Sequence, residues 1–279
     1  MKINKEKTKN NLMSELNDSI LVGPPGAHSQ KNILMKTSKF LDSFKQDISE
    51  KEELKTYQHG LVLPEVSYNE VEKILQQKFG LPKNLQDKEI EAWVTQEVFI
   101  DHLIEAVKFA YEIAVEGGTF LFGTGHPNLL KAYASIINML KECGGHIHYV
   151  ENHFLPSIDD RLLSNQCGVS ILMEENDEDW YDVYSPLHTH DDQYMELILN
   201  EEEIEPDIVF ADHGYAGTAI RKGIPTITVA DTNDIDLLVA SSIFPERVFV
   251  IPMHDNAGLG PSFSLARCFK LVLNDFCAE

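Results

Sequence analysis

A loop that joins an apolar run to a helical pattern carries the residue types best suited to chemistry in this chain. It reads Gly123-Thr124-Gly125-His126-Pro127. Glycine lets a ligand approach the backbone closely. Proline suits the first turn of a helix, where free amides attract phosphate. We therefore predict that Gly123, Thr124 and Gly125 bind phosphate, with His126 beside them as an acid–base residue.

A second loop of similar composition follows the apolar run 208–211 and reads Asp212-His213-Gly214. A buried charged pair is costly unless it is partnered or functional. We predict that Asp212 orients a histidine or binds a metal, and that His213 acts as an acid or base. Arg221 is predicted to bind phosphate through both prongs of its guanidinium. A plain surface charge is equally consistent with its position.

A third group of residues has the chemistry of metal ligands. His188 and His190 are two residues apart, a spacing that points both imidazoles to the same side of an extended segment. Asp231 follows another apolar run. Such a set suits a divalent metal such as zinc or manganese, so these three residues are predicted ligands of an ion of unspecified identity. The alternatives are a polar helix start after His190 and a helix cap at Asp231.

Two further acidic motifs also follow apolar runs. Asp234-x-Asp236 superficially resembles the motif of haloacid dehalogenase-type phosphatases, but those enzymes place the nucleophilic Asp directly at the strand end, and here Thr232 and Asn233 intervene. His254-Asp255 adds another polar group after the last apolar run. Neither motif is given a catalytic or ligand role.

The elements that must position these residues follow from the alternation of short apolar runs with helical patterns. The predicted strands are 119–122, 146–150, 169–173, 208–211, 226–230 and 248–251. Short apolar strands separated by helices indicate a parallel sheet covered on both sides. The sequence thus predicts a Rossmann-like α/β domain, a three-layer parallel sheet, over residues 117–279. Residues 1–116 are predicted to be a mainly helical N-terminal region.

Local signals place two elements of that N-terminal region. Ser67 and Glu70 have the spacing of a capping box, and Gly80 is typical of a helix end. A helical pattern also runs from about Thr95 to Val115. Parallel strands gather their carboxyl ends at one edge of a sheet. The loops that follow those strands are therefore expected to form one cleft.

The composition of the chain limits the classes of partner that it can bind. The net charge of −22 argues against binding nucleic acid or an anionic membrane, and an anionic substrate needs local donors against that field. The four cysteines lack Cys-x-x-Cys spacing. Neither a secretory leader nor an apolar run of membrane-spanning length is present. We expect a cytoplasmic protein whose partner is a small anionic metabolite, and the sequence is compatible with a homo-oligomer.

Residues 117–279 resemble an actinobacterial α/β family that carries the loose label "phosphatase". The resemblance implies a shared site. Its matching motifs are Gly123-Thr-Gly-His-Pro, Ser185-Pro186 with the neighbouring His188-x-His190, Asp212-His213-Gly214, Ala230-Asp231-Thr232-Asn233-Asp234, and a C-terminal helix that ends near Asn274.

The reading that best unites these observations is phosphoester hydrolysis of a small phosphorylated metabolite, assisted by a metal. One alternative is a sugar-phosphate isomerase or a sugar-phosphate-binding protein. Another is a nucleotide-binding regulatory sensor in which the helical half contacts a partner.

Overall fold

The structure is a computed structural model that describes residues 5–16, 30–44, 59–81, 94–155, 161–176, 183–201, 203–255 and 259–278. The helices are α1 (Lys5–Leu16), α2 (Gln30–Ser43), α3 (Tyr68–Phe79), α4 (Gln96–Val115), α5 (Leu130–Glu142), α6 (Gln193–Glu201), α7 (His213–Arg221), α8 (Ile235–Ile243) and α9 (Leu259–Cys277). The strands are β1 (Thr119–Thr124), β2 (His146–Ile147), β3 (His153–Leu155), β4 (Arg161–Gln166), β5 (Val169–Asn176), β6 (Val183–Pro186), β7 (Ile208–Ala211), β8 (Thr226–Ala230) and β9 (Val248–Pro252).

Helix α3 shows how local sequence sets an element before residue 117. The hydroxyl of Ser67 accepts from the amide of Glu70, and the Glu70 carboxylate accepts from the amide of Ser67 at 2.7 Å. Gly80 ends the helix in the left-handed region, at φ 71°. The predicted capping box and helix end are therefore confirmed. Both arise from contacts between near neighbours in the chain.

The sheet is mixed. Its order is β3-β4-β5-β1-β7-β8-β9, with β2 beside the start of β1 and β6 beside β5. Neighbours from β5 through β1, β7 and β8 to β9 are parallel, whereas β3, β4, β5 and β6 pair antiparallel. The turn between β4 and β5 has positive φ at Cys167 and Gly168. This is the backbone typical of a two-residue hairpin.

The α/β class and the mostly parallel central sheet are confirmed, but the prediction of an entirely parallel sheet was wrong. The antiparallel strands β4 and β6 lie in stretches that were not predicted as strands, and the predicted strand 146–150 is limited to β2. Polar residues in β4 hide the apolar alternation on which a strand prediction depends. The Rossmann-like, three-layer description and the boundary at residue 116 stay predictions.

The buried core crosses that boundary. Leu75, Phe99 and Leu103 from the N-terminal helices belong to the same buried apolar cluster as Phe120 and Phe210 from the sheet. The described elements before residue 117 are helical. Across the described residues, no helix combines the length and apolar character that crossing a membrane requires.

Strands β1, β7, β8 and β9 run parallel and so end at one edge of the sheet, here called the carboxyl edge. The segment after each of these strands therefore lies near the other three. This arrangement positions the site.

Candidate metal centre

The structure brings the predicted histidines together at the carboxyl edge. The rings of His126 and His213, which follow β1 and β7, have centroids 5.7 Å apart. His188 lies 4.7 Å from His126, and His190 lies 4.3 Å from His213, again between ring centroids. These four side chains share one site. The strand-end argument predicted the proximity of His126 and His213, whereas the arrival of His188 and His190 at the same place was not predicted by it.

Backbone contacts bring the segment that holds His188 and His190 onto the end of β1. The amide of Thr189 donates to the carbonyl of Gly125 at 2.9 Å. A Cβ atom on Gly125 would lie 2.1 Å from the carbonyl oxygen of Thr189, and one on Gly214 would lie 2.3 Å from the backbone of Asp191. Glycine is therefore required at both positions because two backbones approach closely.

The amides predicted to be free for phosphate have partners within the protein. Asp212 accepts from the Gly125 amide at 2.9 Å and from the Thr124 hydroxyl at 2.6 Å. The His126 amide donates to the Thr124 hydroxyl oxygen at 3.0 Å. Gly123 lies within the paired part of β1. In this structure the Thr124 hydroxyl and the Gly125 amide belong to a network centred on the buried Asp212, and phosphate binding by Gly123, Thr124 and Gly125 stays a prediction.

Asp212 holds the loop rather than a histidine ring. Its nearest approach to His213 joins Oδ1 to Nδ1 at 3.9 Å, which is too long for a hydrogen bond. Burial raises the pKa of Asp212, while His213 and the bonds from Thr124 and Gly125 counteract that rise. The prediction that Asp212 orients a histidine is not realised by a direct bond.

His213 has the features of a strained functional residue. It is 3% exposed and adopts the left-handed region at φ 46°. Within the described residues its Nδ1 has no hydrogen-bond partner. Its Nε2 lies 3.7 Å from Asp234 Oδ1 and 3.5 Å from Asp255 Oδ2. Strain of this kind is stored at functional sites.

Three carboxylates are buried beside His213. Asp231, Asp234 and Asp255 are 6%, 2% and 3% exposed. Burial and the neighbouring Asp231 raise the pKa of Asp234 to about 7, and burial with Asp231 and Asp234 raises the pKa of Asp255 well above its usual range. These raised pKa values reflect the repulsion of like charges in a region with little water. Such a site favours a cation.

Backbone amides of the loop after β8 hold two of these carboxylates in position. The amide of Asp231 donates to Asp234 Oδ2 at 2.9 Å, and the amide of Asn233 donates to Asp231 Oδ1 at 2.6 Å. Asp234, rather than Asp231, occupies the N-cap position of α8, and its side chain makes no capping bond to that helix. The helix-cap alternative for Asp231 was therefore wrong.

His59 is a further histidine of the site, and it belongs to residues 1–116, which were predicted to be a mainly helical region without site residues. His59 Nδ1 lies 2.9 and 3.0 Å from the two oxygens of Asp236, and its Nε2 lies 2.9 Å from His190 Nδ1. Burial opposes protonation of His59, but Asp236 and Asp234 outweigh it and raise the pKa to about 9. A Cβ atom on Gly217 would lie 1.7 Å from the His59 carbonyl oxygen. The absence of a side chain at Gly217 therefore lets the backbone at His59 pack against α7.

The other imidazoles remain uncharged. Burial, with His213 next, lowers the pKa of His126 to about 3. Burial lowers the pKa of His213 to about 4 despite the opposing Asp212. Burial also lowers the pKa values of His188 and His190. Neutral imidazole is the form that binds metals.

Three overlapping sets of side chains in the described residues have the spacing of metal ligands, with all ligand atoms of a set within 4.8 Å of one another. The sets overlap at His213 and at Asp255. They are His188, His190 and His213; His213, Asp234 and Asp255; and Asp231, His254 and Asp255. We call their union the carboxyl-edge cluster. It includes the predicted ligands His188, His190 and Asp231.

Arg221 lies in the last turn of α7. Its guanidinium contacts Asp192 at 3.1 Å and Glu196 at 2.9 Å. Two carboxylates thus engage the group that was predicted to clamp phosphate. The position matches the surface-charge alternative.

Sequence reasoning missed His59, Asp234, Asp236 and Asp255 as site residues. Two acidic residues at the start of the apolar helix α8 were a usable signal, since unpaired charges are rarely buried. His254-Asp255 was recognised as polar but left without a role. His59 had no local signal, because its neighbours in the site are more than a hundred residues away.

The geometry defines a class: an α/β protein with a cluster of histidines around buried aspartates at the carboxyl edge of a mostly parallel sheet. Within that class, the chain belongs to the family described as Phosphatase, whose model matches residues 37–260. It is also similar to "Phosphatase SCO2771" of Streptomyces coelicolor, with 32% identity over 149 residues. That match covers 51% of this chain and 53% of the relative. The chain therefore spans about half the length of that curated relative. The resemblance to an actinobacterial phosphatase family is confirmed.

Proposed function

We propose that this protein is a metal-assisted phosphatase that hydrolyses the phosphoester bond of a small phosphorylated metabolite. The observation that carries the proposal is the approach of His213 Nε2 to oxygens of Asp234 and Asp255, at 3.7 and 3.5 Å. Ligand atoms bonded at about 2.1 Å to one tetrahedral ion lie roughly 3.4 Å apart. These separations therefore suit a shared cation. Membership of the Phosphatase family supports the same reaction class.

The residues of the carboxyl-edge cluster fit a divalent metal in chemistry as well as in spacing. Neutral imidazoles and carboxylates are the ligands that zinc and manganese prefer. His213, Asp234 and Asp255 would hold the ion, and the Nδ1 of His213 has no hydrogen-bond partner in the described part of the chain. A bound divalent ion supplies positive charge to phosphoryl oxygens and lowers the pKa of water.

His126 is the acid–base residue of the proposal. It is 5% exposed, and its ring lies beside those of His188 and His213. Burial lowers its pKa to about 3 and so keeps the ring neutral at pH 7, and its Nδ1 has no hydrogen-bond partner within the described residues. His126 would take the proton that water loses as it attacks phosphorus.

Attraction of the phosphate is assigned to the metal side of the site. The overall charge of −22 repels an anion. The Gly125 amide is bound to Asp212, and the Arg221 guanidinium is bound to Asp192 and Glu196. The phosphate-binding roles predicted for Gly123, Thr124, Gly125 and Arg221 are not part of this proposal.

Hydrolysis of p-nitrophenyl phosphate tests the proposal. Removal of metal with EDTA should lower turnover by at least about a hundredfold, and Mn²⁺ or Zn²⁺ should restore it. Asp255→Asn should reproduce the loss in the metal-loaded protein. Asp101→Asn is the matched control, because Asp101 is exposed and pairs with Lys9 on the surface.

Two outcomes would contradict this function. Full turnover by protein shown to be free of metal would exclude metal assistance. The second outcome combines two observations on the metal-loaded protein: it releases no phosphate from p-nitrophenyl phosphate or a panel of small phosphometabolites, and sugar phosphates stabilise it against heat. That result would indicate a binding protein or an isomerase.

A further inference from the structure

The number of ions is a separate question from the presence of one, and the overlap of the three ligand sets bears on it. Ligand atoms of a single ion with bonds of about 2.1 Å all lie within roughly 4.2 Å of one another. Within the described residues, no set with spacings up to 4.8 Å unites Asp231 and His254 with His213 and Asp234. Asp255 belongs to both of those groups. One ion therefore cannot use all these ligands, whereas two ions that share Asp255 can.

The negative charge of the carboxyl-edge cluster also favours more than one bound cation. Asp231, Asp234 and Asp255 are each at most 6% exposed. Burying several carboxylates together is unfavourable unless cations offset them. His59 is already bound to a fourth carboxylate, Asp236, at 2.9 Å. His59 Nε2 also lies 3.7 Å from Asp234 Oδ1, and Lys36 is near enough to act on the pKa of His59. These two cationic groups face four buried carboxylates, so a surplus of negative charge remains for bound cations to balance.

His213 supplies an observation that does not depend on the carboxylates. It is buried, and its Nδ1 has no hydrogen-bond partner in the described ranges. Its Nε2 points at the gap between Asp234 and Asp255. A buried imidazole with an unpaired nitrogen is costly. The nitrogen that faces the carboxylates is Nε2, and its separations of 3.7 and 3.5 Å are longer than ordinary hydrogen bonds. His213 is therefore not held as a satisfied core histidine, and its Nε2 has the spacing from the carboxylates that a shared cation would impose.

We propose that the carboxyl-edge cluster binds two divalent cations that share the carboxylate of Asp255. His213 and Asp234 complete the first ion's protein ligands, and Asp231 and His254 complete those of the second. Among the described residues, His188 and His190 share a set with His213 but not with Asp234 or Asp255, so neither ion is assigned to them. The proposal rests on the proposed function and deepens it, since two cations suit the terminal phosphate of a monoester, whose oxygens carry the charge.

Stoichiometry tests the proposal directly. The full chain, stripped with EDTA, is titrated calorimetrically with Mn²⁺, and the ions retained after gel filtration are counted by elemental analysis. Two ions per chain are expected. His254→Ala should reduce the count to one, while His146→Ala, which removes an exposed histidine of β2, should leave it at two.

Electron paramagnetic resonance of the Mn²⁺ protein gives a second reading that a loss of folding does not mimic. Two ions that share a carboxylate should show an exchange-coupled signal, and His254→Ala should convert it to the signal of an isolated ion. Circular dichroism checks that the variant is folded. If His254→Ala unfolds, Asp231→Asn takes its place.

The outcomes separate this inference from the function on which it rests. One ion per chain with metal-dependent hydrolysis overturns the two-ion proposal and leaves the phosphatase proposal standing. Two coupled ions without hydrolysis of any phosphate ester support the two-ion centre and overturn the function. No bound ion overturns both.

Discussion

Two polar regions lie at opposite ends of strand β9. At the start of the strand, residues 248–250 line a cavity of 70 Å³ together with Lys78, His102 and Glu105, here called the Lys78 cavity. After the end of the strand, the chain leads through His254 to Asp255 in the carboxyl-edge cluster. Both regions contain an imidazole that is at least half-buried, but only the carboxyl-edge cluster has an excess of charge.

The Lys78 cavity balances its own charges. Burial and the neighbouring Lys78 lower the pKa of His102 to about 4, so His102 is neutral at pH 7. Glu105 opposes the effect of burial on the pKa of Lys78 and lies 3.8 Å from His102 Nδ1. The carboxyl-edge cluster instead holds three buried carboxylates. The difference teaches that a buried histidine does not by itself identify a ligand site, whereas unbalanced buried charge does.

The largest expected effect comes from His213. We expect His213→Ala to lower the turnover of p-nitrophenyl phosphate by about two to four orders of magnitude, because it removes a metal ligand. Turnover and melting temperature are measured on the same preparation. His146→Ala is the exposed control, and His213→Asn is a second variant that tolerates the left-handed backbone. A lower melting temperature with intact activity per folded molecule would make His213 structural and break the comparison.

A smaller effect, on stability alone, is expected in the Lys78 cavity. Because the pKa of His102 is depressed to about 4 in the folded state, its neutral form contributes stability that is present above pH 6.5 and is lost as pH falls toward 4. His102→Gln should remove about 2 kcal/mol of that acid-dependent loss between pH 7 and 4.5. Urea unfolding at both pH values measures it.

The control for this prediction is His146→Gln, which should keep the wild-type acid dependence because that side chain is exposed. Metal content should be the same in His102→Gln and wild type. An unchanged pH slope, or a lost metal, would show that the Lys78 cavity is not the independent, self-balanced region described above.

The smallest effect is expected from Arg221→Ala. Its pairs with Asp192 and Glu196 are partly exposed, and such pairs contribute about 1 kcal/mol or less. KM for p-nitrophenyl phosphate should change by less than about twofold. A rise of KM by more than about tenfold with kcat unchanged would restore Arg221 as a phosphate ligand. Steady-state kinetics measures the change in KM, and thermal melting measures the change in stability.

Part of this protein could be predicted from the sequence because the responsible contacts are local or follow from sheet geometry. The capping box at Ser67 and Glu70 spans three residues. The neighbourhood of His126, His213 and Asp231 follows once apolar strands are known to run parallel, since parallel strands end at one edge. Those side chains were predicted to lie together, and they do.

The tertiary structure decided the rest, because the deciding contacts join residues far apart in the chain. Only in the folded chain does the Gly125 amide donate a hydrogen bond to Asp212, which engages an amide that was predicted to bind phosphate. Only the folded chain brings His59 to Asp236 and His190. By itself the sequence determined that His126, His213 and Asp231 follow parallel strands and therefore meet at one edge of the sheet. Whether each of them is free for a ligand or bound to another residue depended on long-range packing, which no local pattern records.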